Sequence, residues 1–180
     1  MIILEGPDGG GKTTLLETLL MKYPSIAMHE RASEGVKGPV AGLYEWTHRD
    51  LHTWDMQTLS FYDRHPLVSE YIYGPIIRGT IDPRFHGTPL RRRLARRALV
   101  IVCLPPLDTV RASVSADRDM PGVTTHIDAI WTSYASLRAT WPVSTGILYY
   151  DWTARRVMSD ELDYIFASIN CHRTEWEQFS

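Results

Sequence analysis

Ile2-Ile3-Leu4-Glu5-Gly6-Pro7-Asp8-Gly9-Gly10-Gly11-Lys12-Thr13-Thr14 is the stretch that decides the fold. A short apolar run passes straight into glycines and ends on Lys-Thr. Residues 6–13 fit G-x-x-x-x-G-K-[ST] at every fixed position. Such glycines let the backbone fold into a nest whose N–H groups point at phosphate oxygens. The helix expected to start near Lys12 adds its positive dipole end. Gly6, Pro7, Asp8, Gly9, Gly10, Gly11, Lys12, Thr13 and Thr14 are therefore expected to hold the phosphates of ATP. In such a loop the lysine reaches the β- and γ-phosphates and the Thr13 hydroxyl ligates Mg²⁺.

Working outward, strands alternate with helices. Residues 2–5 read as a strand and 13–22 as a helix, with Leu15, Leu16, Leu19 and Leu20 at helical spacing. Strands are expected at 25–29, 58–62, 99–104 and 146–150. Helices are expected at 43–54, 67–78 (up to Pro75), 90–97, 107–116, 125–139 and 159–169. This alternation implies parallel βαβ units. The expectation is one α/β domain over residues 1–180, with about five mostly parallel strands covered by helices on both faces.

Composition narrows the class. With 180 residues, 44% hydrophobic and 22% charged, the chain fits one packed domain rather than a disordered one. No apolar run approaches the ~20 residues of a membrane span, so no membrane partner is expected. Residues 1–5 lack the basic flank of a signal peptide. Cys103 and Cys171 read as thiols of a reducing compartment, the cytoplasm (the host's, for a phage-encoded chain). His48 and His52 form a helical i, i+4 pair, read as a surface pair rather than a metal site.

Three features select among nucleotide-binding classes. The chain has no Asn-Lys-x-Asp motif for reading guanine, and it is too small for a motor. Asp63-Arg64 ends a strand, at the carboxyl edge of the sheet where ligands bind. There Asp63 is the candidate to accept a proton from an attacking oxygen, or to hold a Mg²⁺-bound water, and Arg64 to clamp phosphate.

The 19 basic residues are 16 Arg and 3 Lys. The bias has two readings, the planar fork that grips phosphate and the codon composition of a GC-rich genome. Five of the arginines crowd into residues 91–97. On a helix Arg92, Arg93, Arg96 and Arg97 would share one face, which is either a solvated face or a track for a nucleic-acid backbone. Trp46, Trp54, Tyr71 and Tyr73 are candidates to stack on an extruded base, with core packing as the plainer reading of Trp46.

Taken together, the motifs resemble the thymidylate kinase-like family of P-loop kinases. Residues 5–14 are similar to its phosphate loop, including Asp8. Asp63-Arg64-His65 with Ser69 and Tyr73-Gly74 resembles its Asp-Arg-aromatic segment. Residues 100–106 with Val110-Arg111 resemble its fourth strand and the helix leading to the lid. Tyr149-Tyr150-Asp151-Trp152-Thr153 resembles its adenine-side loop. The resemblance implies a P-loop NTPase fold, an ATP-dependent kinase, and charge-neutralising roles for Lys12, Arg64, Arg111 and Arg118. It leaves room for a homodimer.

The departures bear on the acceptor. The family's Arg-Glu-Pro-Gly-Gly segment has no counterpart in residues 29–35, no thymine-gripping helix is recognisable before Thr58, and the lid around 117–122 is short. These losses would open the acceptor side, whereas Asp8 in the family can approach the sugar hydroxyl of a free nucleotide. Residues 63–75 look like small phage-type members that phosphorylate 5-hydroxymethyluracil within DNA, during thymidine hypermodification. That acceptor is the lead expectation. A free deoxynucleoside monophosphate such as dTMP is the second, and a non-catalytic nucleotide-dependent DNA-binding protein the third.

Overall fold

The computed structural model describes residues 1–29, 31–32, 39, 41–53, 59–85, 89–115, 119–141, 146–154 and 158–179. Five parallel strands form one sheet in the order β2-β3-β1-β4-β5: β1 Ile2–Glu5, β2 Ala27–Met28, β3 Ser60–Asp63, β4 Leu99–Cys103 and β5 Ile147–Tyr150. The helices are α1 Lys12–Lys22, α2 Leu43–Thr53, α3 Pro66–Tyr73, α4 Pro89–Arg97, α5 Leu107–Ser113, α6 Val123–Ala135, α7 Leu137–Thr140 and α8 Met158–Phe179.

Period-two alternation of strand side chains splits the core across the two faces of the sheet. Met1, Ile3, Tyr62, Val100, Val102 and Ile147 face α2, α3, α4 and α6, packing against Trp46, Leu67, Val68, Leu94 and Ile130. Ile2, Leu4, Phe61, Leu99, Ile101 and Cys103 face α1 and α8, meeting Leu15, Leu19, Ile165 and Ile169. Because both faces are covered, β1 and β4 are buried at every position, which is why they read as unbroken apolar runs.

Most boundaries shift by one to three residues from the sequence expectation. β3 runs on to Asp63, and α5 ends at Ser113. The stretch expected at 125–139 is two helices, α6 and α7, broken at Ser136. α8 continues far beyond 169, through a polar run that periodicity does not mark as helix. α3 ends at Tyr73, just before Pro75, but the helical path continues: Gly74–Arg78 widens into a π-helical turn, the arrangement that accommodates a missing amide and a bulky ring.

β1 pairs with β3 on one side and β4 on the other, so chain order reverses at β1. The loop leaving β1 therefore emerges at the switch point of the sheet. Register places Leu4 beside Asp63 and Glu5 beside Val102, and the Arg64 amide donates to the Leu4 carbonyl at 3.0 Å. The carboxyl ends of β1, β3 and β4 thus converge on the glycine loop.

Candidate active site

Gly6, Gly9 and Gly11 adopt φ of 135°, 74° and 88°, a region L side chains rarely enter. Space enforces the choice as well. A Cβ on Gly6 would stand 2.3 Å from the Cys103 carbonyl oxygen, and one on Gly11 would stand 2.7 Å from the Trp152 ring. The loop is thus pressed between β4 and residue 152. Lys12 opens α1 and its ammonium donates to the carbonyls of Pro7 (2.7 Å) and Gly6 (3.2 Å). Burial, then the neighbouring Arg64 charge, pulls the Lys12 ammonium down to about 8. Thr13 and Thr14 follow on the exposed first turn.

A buried polar cluster stands beside the loop. Glu5, at the end of an otherwise apolar strand, is fully buried. It accepts from the His65 amide at 2.8 Å, from the Tyr134 hydroxyl at 2.8 Å and from the Ser69 hydroxyl at 3.1 Å. Arg64, with φ 68°, turns its guanidinium into this cluster and donates to Asp8 at 2.7 Å, Tyr134 at 2.8 Å and Tyr73 at 2.9 Å. The Tyr73 hydroxyl donates to the other Asp8 oxygen at 3.0 Å. Burial pushes the Glu5 carboxyl up, against the pull of Arg64 and the His65 amide. Burial would also raise Asp8, but Arg64 and Lys12 outweigh it and hold the carboxyl below its ordinary value.

The residue after Arg64 fixes its backbone. The His65 Nδ1 accepts from the Leu67 amide and caps α3, with Pro66 at the first helical position. Its Nε2 faces Asp50 at 3.5 Å, and Asp50 also meets His29 at 3.0 Å.

Loop and cluster line one cleft of about 1040 Å³. One end holds Gly11, Thr13, Thr18, Trp152 and Leu162; the other holds Asp63, Arg64, Ser69, Glu70, Tyr73 and Arg78. Asp63 meets the guanidinium of Arg31 at 2.8 Å. Among the sequence candidates, Asp8, Gly9, Gly11, Lys12, Thr13, Thr14, Asp63 and Arg64 all line this cleft. Gly6, Pro7 and Gly10 form the loop's inner wall and are buried.

Arg111 is not brought there. Val110, beside it on α5, points into the core, so Arg111 turns outward and meets Asp128 at 2.5 Å and Asp108 at 2.8 Å. Arg118, Trp54 and residues 33–35 lie outside the described residues, as does the side chain of His52. His48 packs beside the Tyr44 ring. Among the described residues no group of His, Cys, Asp and Glu could hold a metal by itself, and no helix is long and apolar enough to cross a membrane.

The aromatic candidates are otherwise employed. Trp46 belongs to the core. Tyr71 donates to the Phe85 carbonyl and is covered by Arg91, whose guanidinium lies 4.0 Å from the ring centre. Tyr73 carries Arg64 at 4.9 Å over its ring.

On α4, Arg92, Arg96 and Arg97 are exposed and Arg93 is half-buried, while Leu94 and Ala95 face the core. The helix ends where β4 begins, and there the Leu99 amide donates to the Met1 carbonyl. Arg96 and Arg97 therefore lie near the amino ends of the strands. That is roughly 15 Å of strand away from the glycine loop, at about 3.3 Å per residue.

Sequence reasoning passed over Glu5, Glu70 and Tyr134, and weighed Arg78 only as an extension of the 91–97 basic patch, whereas the fold pairs it with Glu70 in the cleft. Glu5 had a signal, a charge ending an apolar strand directly before the loop. Glu70 had a weaker one, an acid within an apolar helix. Tyr134 had none, because only the fold brings α6 over β1.

No family model matches the chain, and no curated protein matches it. Solved structures do. The YorR protein of Bacillus subtilis, in complex with phosphorylated GDP, is 17% identical with a TM-score of 0.63, over 94% of this chain and 97% of that one. Deoxyadenosine kinase from M. mycoides with bound dATP is 12% identical with a TM-score of 0.51, over 94% and 98%. Shikimate kinase from Acinetobacter baumannii with shikimate is 15% identical with a TM-score of 0.53, over 93% of each chain. At these identities the likeness establishes the P-loop kinase fold alone.

Proposed function

We propose that residues 1–180 form a single kinase domain that transfers the γ-phosphoryl group of ATP to a hydroxyl acceptor. The observation that carries the reading is the shared cleft: the glycine loop with Lys12 and Thr13 lines the same cleft as Asp63 and Arg64. The names of two structural neighbours, a deoxyadenosine kinase and a shikimate kinase, agree with it.

In this reading residues 6–14 bind the donor phosphates through backbone N–H groups, and Lys12 releases the Gly6 and Pro7 carbonyls to reach them. Mg²⁺ suits the residues present, since the Thr13 hydroxyl and the Asp63 carboxylate are oxygen donors lining the same cleft. Thr13 would ligate it directly and Asp63 through water, and bound there it would neutralise phosphate charge. Asp63, oriented by Arg31, accepts the hydroxyl proton as the acceptor oxygen bonds to the γ-phosphorus and the bond to the bridging oxygen of ADP breaks. Arg64 supplies fixed positive charge beside the transferring group, and Arg118 is the candidate for the lid.

The acceptor best supported by residues 63–75 is the hydroxymethyl group of 5-hydroxymethyluracil in DNA, with the cytoplasm as the site of action. The test is incubation with γ-labelled ATP and, separately, dTMP, plain DNA and DNA containing 5-hydroxymethyluracil. Label in the modified DNA alone is the expected result. Label in dTMP alone replaces this acceptor with a free nucleotide. ATP binding without transfer to any acceptor favours a non-catalytic role.

A further inference from the structure

Beyond Asp63 the cleft reaches an acid-base pair that the phosphoryl-transfer reading does not use. Glu70 is 6% exposed, and an Arg78 Nη donates to both of its carboxylate oxygens at 2.5 Å. The pair closes across the π-helical turn after α3: Arg78 is the last residue of that turn, and its side chain reaches Glu70 eight positions earlier. Gly74 permits the close approach: a Cβ there would stand 2.9 Å from the Thr80 carbonyl oxygen and 3.0 Å from Glu70 Oε1. Both side chains line the cleft, and Leu43, Pro66 and Met120 line it with them.

Stability is a weak reason for such a pair, because Arg78 stays 36% exposed and a solvent-screened ion pair contributes little. What the pair offers is a pattern. A carboxylate has about four lone-pair sites and a guanidinium five N–H donors in one plane. Glu70 and Arg78 therefore present an acceptor beside donors in a cleft that Leu43, Pro66 and Met120 also line. The complement is a planar, uncharged heterocycle edge with an N–H next to a carbonyl or ring nitrogen. A phosphate is a poor fit there, since it would meet the Glu70 carboxylate.

We infer that the Glu70–Arg78 pair reads the base edge of the acceptor, so that the acceptor is recognised as a nucleobase and not through a phosphate. This rests on the proposed kinase reading for its role, but base binding can be measured without turnover. Calorimetric titration uses 5-hydroxymethyl-2′-deoxyuridine, deoxyadenosine, deoxyguanosine, deoxycytidine and the base-free sugar 2-deoxyribose, against the parent chain, Glu70→Gln and Arg78→Gln. The parent is expected to bind at least one nucleoside and not 2-deoxyribose. Each variant is expected to weaken the preferred nucleoside about ten-fold or more and to reorder the ranking, with ATP affinity unchanged.

Should Glu70→Gln fail to fold, Arg78→Gln, on the more exposed partner, gives the same readout. A parent that binds no nucleoside, or variants that leave the ranking intact, would overturn the inference. So would variants that weaken ATP and nucleosides alike, which would make the pair structural. Base binding lost in the variants, in a parent that transfers no phosphate to any acceptor, would sink the kinase reading and leave this one standing.

Discussion

The two ends of the cleft are built from different materials. The loop end is made of backbone: consecutive residues, positive-φ glycines, and amides at the start of α1. The acceptor end rests on a side-chain cluster gathered from β1, the residue after β3, α3 and α6, as Glu5, Arg64, Tyr73 and Tyr134. A backbone nest recognises any phosphate chain and tolerates changes around it. A side-chain cluster can be specific, but losing a charged member leaves its partner's charge uncompensated, and losing a tyrosine leaves a carboxylate short of a donor. The loop end should therefore fail by strain, and the acceptor end by uncompensated charge.

The largest effect is expected from Arg64→Met. It strips Asp8 and the fully buried Glu5 of the cation paired with them, leaving only the Lys12 charge nearby, and breaking a buried pair from one side costs about 3–5 kcal/mol. Chemical denaturation measures it; a loss under about 1 kcal/mol would show that water reaches the cluster. Gly6→Ala comes next. The new methyl meets the Cys103 carbonyl at an unfavourable φ, for an expected loss of about 2–4 kcal/mol. A melting temperature equal to the parent's would mean that the loop relaxes freely.

A third prediction concerns what holds the acceptor end in place. Burial alone would raise the Asp50 carboxyl, but His29 and His65 pull it down to about 2. A carboxyl with a lowered folded value adds stability above its unfolded value near 3.8 and loses it as pH falls towards 2. Asp50→Asn should therefore be less stable than the parent by about 2 kcal/mol at pH 6, with the gap closing by pH 2. A gap that stays constant with pH would assign the loss to packing.

The smallest effect is expected on α4. Arg92→Glu with Arg96→Glu should change stability by less than about 0.5 kcal/mol and leave ATP affinity unchanged. A loss of activity on DNA together with a shallower salt dependence would show that DNA tracks this face; unchanged activity would leave it a solvated surface.

The same contrast explains what the sequence disclosed. The loop end was legible because its chemistry is local: a spacing of glycines, a lysine and a threonine is visible in one line of text. The sheet was legible for a related reason, since strands buried on both faces read as apolar runs. The acceptor end was legible at Asp63-Arg64 and, through the family resemblance, at Ser69 and Tyr73. Tyr134 joins Glu5 across 129 positions of chain, and Arg78 reaches Glu70 through a turn where Pro75 reads as an ending. Arg111 shows the converse. It stands beside a core residue in sequence order, and the helix turns it towards Asp128 and solvent.

The central claim is that the glycine loop is the donor site. Its most direct test is titration of ATP with Mg²⁺ into the parent chain and into Lys12→Ala, read by calorimetry alongside a thermal melt. The account predicts saturable binding by the parent and a loss of about ten-fold or more in a variant that melts like the parent. Equal affinity in the two proteins would contradict it.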